Sequence, residues 1–341
     1  MKAVVYDRHE RLKTLDIPDP VLEPDQVLIK VSNTGFCGSD HSLIESGALP
    51  DGYIVGHEVS GTVAEVGSHV STEVPLGTRV MIRPTYCGAC RDCLMGKPYL
   101  CRNNRRTIGI GDLPGGVAEY VKVYPGMLIA VPDAVDSVNA ALAEMFAASL
   151  HAISVSGIEG GPVLVIGCGP IGLGLVRLLK ILGFGPIAVS EPVEIKRNIA
   201  QRLGADTTID PFTENVFMHA REDTGGYGYE TVFECSGAAQ SVSDAMNFCA
   251  NGGTVCIVSV IMKNIEITPM ILNFKEILLT GSYSNTHEEN RQCLQWMAQG
   301  LLDGRPLISD TSTLDELPAL YRDRIDTGNT IKVMLSIGEE F

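Results

Sequence analysis

The first thirty or so positions alternate apolar and polar side chains: Ala3-Val4-Val5-Tyr6, then Gln26-Val27-Leu28-Ile29-Lys30-Val31, with Pro18, Pro20 and Pro24 between the runs. A period of two punctuated by prolines predicts short β-strands joined by turns. The second run leads through Asn33-Thr34-Gly35-Phe36 into Cys37. Around Val63, Val66 and Val70 the alternation returns, and Gly56, Gly61 and Gly67 let that backbone pass close to neighbouring chain. Residues 140–152 are dense in alanine and other apolar residues, which predicts a helix, and they carry one acid, Glu144. At 162–166 the run Pro-Val-Leu-Val-Ile is continuously apolar, as expected of a strand buried on both faces of a parallel sheet. Gly167-Cys168-Gly169-Pro170-Ile171-Gly172 follows, then a helical stretch through Leu173, Val176, Leu179 and Leu182. Strand-like runs recur at 187–190, 207–210, 230–235, 253–258 and 277–282, bounded by turn residues or followed by helical stretches. A helix is expected over 288–302 and a closing strand over 331–335. The chain therefore predicts an α/β fold, with a β-rich first part and a doubly wound parallel sheet in the second.

Composition narrows the function classes. A length of 341 residues suffices for two domains with their own cores. A formal net charge of −15 disfavours a nucleic-acid or anionic-membrane partner. The amino terminus turns polar too soon for a signal peptide, and no apolar run is expected to reach the roughly 20 residues of a membrane helix. A cytoplasmic protein is the expectation. Of ten cysteines, four fall in one short segment, a spacing that argues for metal rather than disulfides.

Chemistry enters at three places. Cys37-Gly38-Ser39-Asp40 precedes Gly56-His57-Glu58 by about twenty residues, and a thiolate, an imidazole and a carboxylate together suit a catalytic zinc with one open position. Cys87, Cys90 and Cys93 stand at i, i+3 and i+6, and Cys101 completes a four-sulfur set that would close the shell of a structural zinc. Gly167, Gly169, Pro170, Ile171 and Gly172 form a strand–glycine turn–helix fingerprint for a dinucleotide pyrophosphate. About 20 residues on, Glu191 is placed to bind the adenosine ribose hydroxyls and to repel a 2′-phosphate, so NAD is favoured over NADP. Lys196 and Arg197 would soften that preference, unless they only form a solvated helix face. The bland alternatives are a buried thiol at Cys37, a turn serine at Ser39, a disulfide-bonded lobe and a helix-start acid at Glu144.

In this order, the motifs resemble the zinc-containing medium-chain alcohol dehydrogenases, in the polyol (sorbitol) and threonine dehydrogenase branch. The resemblance implies a GroES-like catalytic zinc domain over 1–152 and 290–341 and a Rossmann NAD-binding domain over 153–289. It implies that Cys37, His57 and Glu144 serve the catalytic zinc, with Glu144 in place of the second cysteine of liver-type enzymes. Glu58 would bind the metal directly, bind through water, or exchange with substrate. Ser39 would begin a proton relay. The four-cysteine lobe would brace a loop near a subunit contact in a homodimer or homotetramer. The activity implied is hydride transfer between a secondary alcohol and the nicotinamide, the substrate being a small-molecule polyol, sugar acid, diol or 3-hydroxy amino acid. L-Threonine 3-dehydrogenase is one alternative, and a quinone reductase-like nicotinamide-binding relative is another. Two positions depart from the pattern: Met145 stands where a proline is usual, and Ser42 where many relatives have histidine, with His41 before it.

Overall fold

The alternating first third of the chain folds as sheet. A computed structural model describes residues 1–70, 75–339 and 341. Its first strands, β1 (Lys2–Asp7) and β2 (Arg11–Asp16), form an antiparallel pair. The ten-residue β3 (Val27–Phe36) leads to a short helix α1 (Gly38–Ser46). Next come β4 (Glu58–Val66), β5 (Arg79–Ile82), a helical turn α2 (Arg91–Leu94), β6 (Tyr120–Val123) and β7 (Leu128–Ala130). The long helix α3 (Ser137–Ser156) follows.

The continuous apolar runs then become parallel strands with helices between them. In order these are β8 (Val163–Ile166), α4 (Pro170–Leu182), β9 (Ile187–Ser190), α5 (Glu194–Leu203), β10 (Thr207–Ile209) and α6 (Val216–Asp223). They continue with β11 (Tyr229–Glu234), α7 (Ser241–Phe248), β12 (Cys249–Ile257), α8 (Pro269–Lys275), β13 (Leu278–Gly281) and α9 (His287–Ala298). The chain ends with β14 (Ile308–Ser312), the turn α10 (Leu317–Leu320) and β15 (Lys332–Ser336).

The chain divides into two units, Met1–Glu144 with Asn290–Phe341, and Met145–Glu289. The first division falls ahead of the residue 152 expected from the sequence, because the unbroken α3 carries the chain from one unit to the other. In the first unit the main sheet has the order β14-β15-β3-β4-β5-β7, with β6 also pairing β3. The late strand β15 thus lies beside the early β3, antiparallel to it, which is how the carboxyl-terminal segment becomes part of this unit. Ile29, Val31, Val59, Val63 and Val80 bury the apolar face of the alternation in one core. The second unit is a six-stranded parallel sheet of order β10-β9-β8-β11-β12-β13. Its strand order reverses between β8 and β11, and ligands of such sheets bind in the crevice at the strand carboxyl ends beside that reversal.

One expectation needs correction. At twenty residues α3 is long and apolar enough for a membrane span, but 67% of its most apolar stretch is buried inside the protein. Ala140, Ala141, Leu142 and Ala143 are fully covered, so the apolar character of this helix is used in packing.

Candidate active site

The end of β3 and the start of β4 build the first site. Gly35 on β3 is the cross-strand partner of Glu58 on β4, and β15 lies on the other side of β3. A side-chain carbon at position 35 would stand 2.0 Å from Glu58 Oε2. Only glycine leaves that gap, and through it Glu58 reaches Lys332 at the start of β15. Lys332 Nζ donates to both carboxylate oxygens, at 2.6 and 2.7 Å. Side-chain exposure is 0% for Lys332 and 1% for Glu58, so this ion pair is wholly internal. Burial alone would lower the lysine pKa; the charges of Glu58 and Cys37 outweigh it and raise the value above its usual 10.5.

Asp40 organises the other two groups. Its Oδ2 accepts the Cys37 N–H at 2.8 Å, and its Oδ1 accepts the Gly56 N–H at 3.2 Å. The same Oδ1 lies 3.2 Å from His57 Nδ1. A carboxylate on one ring nitrogen fixes the tautomer and aims the other nitrogen, the usual outer support of a metal-binding histidine. Burial opposes protonation of His57, but the Asp40 carboxylate and the Cys37 sulfur lift its pKa well above the ordinary imidazole value. Ligand atoms of Cys37, His57 and Glu58 all lie within 4.8 Å of one another. A soft thiolate, an imidazole and a carboxylate in such a cluster fit zinc. Ser39 sits half-buried in the first turn of α1, two residues past Cys37. Glu144 on α3 is outside the close set, and its Oε1 accepts from Arg83 at 2.8 Å. The motif reading singled out the acids and missed their bases. Neither Lys332 nor Arg83 stands in a recognisable pattern, although a lysine opening an apolar strand was a visible anomaly.

The cysteine lobe is the second site. Successive Sγ–Sγ separations among Cys87, Cys90, Cys93 and Cys101 run from 3.4 to 3.8 Å. Four sulfurs about 2.3 Å from a tetrahedral zinc would stand about 3.8 Å apart, so the donor set and its spacing fit that ion. Cys87 Sγ accepts the N–H groups of Ala89 and Cys90, which pull its pKa down to about 6. All ten cysteines are free thiols.

In the second unit the glycine turn joins β8 to α4. Gly167 has φ +92°, and a side-chain carbon there would stand 2.7 Å from Ser236. Gly169 caps α4, and no atom lies within 4 Å of where its side chain would be, leaving the helix amino terminus open to a phosphate. Pro170, Ile171 and Gly172 form the first turn of α4, behind that opening. A cleft of about 1040 Å³ runs past Gly167, Gly169, Glu191, Lys196, Phe212 and Ser236. Glu191 is held at its edge by the N–H groups of Cys168 (2.7 Å) and Val193 (3.0 Å). Lys196 lines the cleft, whereas Arg197 turns back to the carbonyls of Glu191 and Pro192, at 2.7 Å each.

Known proteins share this arrangement along the whole chain. Residues 23–133 match the alcohol dehydrogenase GroES-like domain, and residues 170–299 the zinc-binding dehydrogenase domain. L-Threonine 3-dehydrogenase of Rhizobium etli is 31% identical over 346 residues, covering 98% of each chain. Sorbitol dehydrogenase of Bacillus subtilis is 28% identical, covering 98% of this chain and 97% of the relative. Among solved structures, a proposed zinc-binding dehydrogenase from Sinorhizobium meliloti 1021 bound to NADP superposes with a TM-score of 0.88 at 33% identity, over 98% of both chains. The 2R,3R-butanediol dehydrogenase of Bacillus subtilis does so at 0.87 and 28%, over 98% of this chain and 99% of that one. With a GroES-like unit, a parallel nucleotide-binding sheet and matches of this extent, the chain belongs to the zinc-containing medium-chain alcohol dehydrogenase family, in its polyol and threonine dehydrogenase branch.

Proposed function

We propose that the protein oxidises a small secondary alcohol carrying a second polar group beside the reacting carbon, passing hydride to NAD. The observation that carries this reading is the Cys37–His57–Glu58 cluster, braced by Asp40, in a chain that also holds an open glycine turn. The substrate class is supported by the relatives. Threonine, sorbitol and 2,3-butanediol, the compounds in their names, each bear nitrogen or oxygen on the carbon next to a secondary hydroxyl. Polyols, sugar acids, vicinal diols and 3-hydroxy amino acids share that feature.

Cys37, His57 and Glu58 would hold the catalytic zinc, with Glu144 as a fourth candidate, and the lobe cysteines a structural one. The metal, when bound, supplies Lewis acidity that eases loss of the alcohol proton. Asp40 keeps His57 aimed, and the Lys332 ammonium balances the Glu58 carboxylate. Ser39, in the first turn after Cys37, takes the hydroxyl proton toward solvent. In the second unit the amino terminus of α4 receives the pyrophosphate and Glu191 the ribose hydroxyls, a choice that disfavours a 2′-phosphate. We assign zinc chemistry to the first unit and cofactor binding to the second.

A homodimer or homotetramer fits the exposed apolar side chains on the edge strand β13 and in the segment between β12 and α8, Leu278 at 58% and Met262 at 91%. Leu94 and Met95 of the cysteine lobe are also bare. Ten free thiols suit a reducing cytoplasm. The test is a screen of such alcohols with NAD and with NADP, read at the absorbance of the reduced nicotinamide, on protein of known metal content. Turnover of vicinal diols or 3-hydroxy acids well above ethanol is expected. Full activity in protein devoid of zinc would refute the proposal.

A further inference from the structure

Where the sheet of the second unit reverses its strand order, β11 ends on Glu234. This residue is fully buried, and its backbone pairs with Ile166, the residue before the glycine turn. A carboxylate removed from water is costly unless donors meet its oxygens. Five donors do so here. Oε1 accepts the N–H groups of Ser236 at 2.8 Å and Gly237 at 2.9 Å, and the hydroxyls of Ser236 at 2.6 Å and Ser241 at 2.8 Å. Oε2 accepts the Ser259 hydroxyl. The Glu234 carbonyl also accepts, from the N–H groups of Val258 at 2.8 Å and Ser259 at 3.1 Å. One residue thus ties together the turn after β11, the start of α7 and the segment after β12. Ser236, Ala238, Gln240 and Ser241 line the same cleft as Gly167 and Gly169, and Glu234 stands behind them, out of the lining. The fit between the two sides is tight, since a side-chain carbon at position 167 would stand 2.7 Å from Ser236.

We propose that Glu234 is a positioning residue whose carboxylate holds the 236–241 segment against the glycine turn, so that the cleft has its shape before the cofactor arrives. The proposal rests on the reading of this cleft as the NAD site. Without the carboxylate, two backbone N–H groups and three hydroxyls lose their acceptor together, and a buried donor left unmet is expensive. The segment then relaxes into arrangements that satisfy those donors elsewhere. A cofactor that fits only the native arrangement is weakened in proportion to the fraction of molecules that leave it. Glutamine separates hydrogen bonding from charge at this position. Its amide oxygen can take the place of Oε1, while its NH2 group faces the Ser259 hydroxyl, which can accept as well as donate.

The test measures NAD binding by titration calorimetry on the zinc-replete full chain, in the wild type and in Glu234→Ala, Glu234→Gln and Ser259→Ala, with thermal unfolding alongside. In Glu234→Ala the competent fraction should fall to about one-tenth, raising the Kd for NAD about tenfold. Glu234→Gln should bind NAD within about threefold of the wild type, because it keeps the acceptor that four of the donors share. A Kd unchanged in folded Glu234→Ala, whatever its melting temperature, overturns the proposal by showing that Glu234 serves the fold alone. Glu234→Gln as weak as Glu234→Ala also overturns it, since charge and not hydrogen bonding would then be what matters. Should Glu234→Ala fail to fold, Ser259→Ala decides. Ser259 lies outside the cleft lining and gives Oε2 its donor, so its loss should raise the Kd about threefold, and an unchanged Kd overturns the proposal. Wild-type protein that binds neither NAD nor NADP would instead refute the reading of the cleft itself, a separate result.

Discussion

Replacing Lys332 by methionine should destabilise the first unit more than any ordinary core substitution of similar volume. Both members of the Lys332–Glu58 pair are removed from water, and the ammonium is 2.6 and 2.7 Å from the two oxygens. At an effective dielectric of 20, charges about 3 Å apart attract by about 5 kcal/mol. Removing one partner of a buried pair typically destabilises by about 3–5 kcal/mol, because the other charge stays behind. For a unit of this size each kcal/mol lowers the melting temperature by about 2–4 °C, so Lys332→Met should melt about 6–20 °C lower. The assay is thermal unfolding followed by circular dichroism in chelator-treated protein. Two controls separate electrostatics from packing. Lys332→Met/Glu58→Gln, which removes both charges, should recover at least half of the loss. Loading zinc should also shrink the loss, because a divalent cation beside Glu58 stands in for the ammonium. The pH dependence has a definite sign. The folded pKa of Lys332 is raised above 10.5, so the stability contributed by the pair is fully present below that pH and is lost as pH rises through the folded value. Lys332→Met should lack this alkaline loss. A melting temperature within about 2 °C of wild type in zinc-free protein would show that Glu58 is neutralised some other way and would refute the reasoning.

Metal analysis should find about two zinc ions per chain, and Cys90→Ser should remove the lobe ion while leaving the other; loss of both together would mean the sites are not independent. NAD should exceed NADP in kcat/KM, and Glu191→Ala should narrow the ratio about tenfold, equivalent to about 1.4 kcal/mol; a wild-type preference for NADP would show that Lys196 governs the choice. Burial works against ionisation of Glu289, but hydrogen bonds from His151 and from Thr286 outweigh it and hold its pKa below the usual 4.5. Its contribution to stability is therefore present above about pH 4.5 and lost on acidification below it, so Glu289→Gln should flatten the acid limb of the unfolding profile, and an unchanged limb would refute this.

What the sequence made legible was whatever its local pattern encodes. Period-two alternation located β1 and β3, continuous apolar runs located the parallel strands, and the glycine turn fell where β8 meets α4. The lobe was legible for the same reason, its four cysteines lying within 15 consecutive residues. The charge balance of the first site was not. Lys332 meets Glu58 across 274 positions, and Arg83 meets Glu144 across 61. No periodicity links such residues. They meet because β15 returns beside β3 and because α3 brings Glu144 to the segment after β5. A solitary acid in an apolar run announces that a partner exists, since an unpaired buried charge is prohibitive, but not which partner. Read alone, Glu144 asks for a cation, and zinc and arginine answer equally well. The fold supplies the arginine, 2.8 Å from Glu144, just as it supplies Lys332 to the buried Glu58.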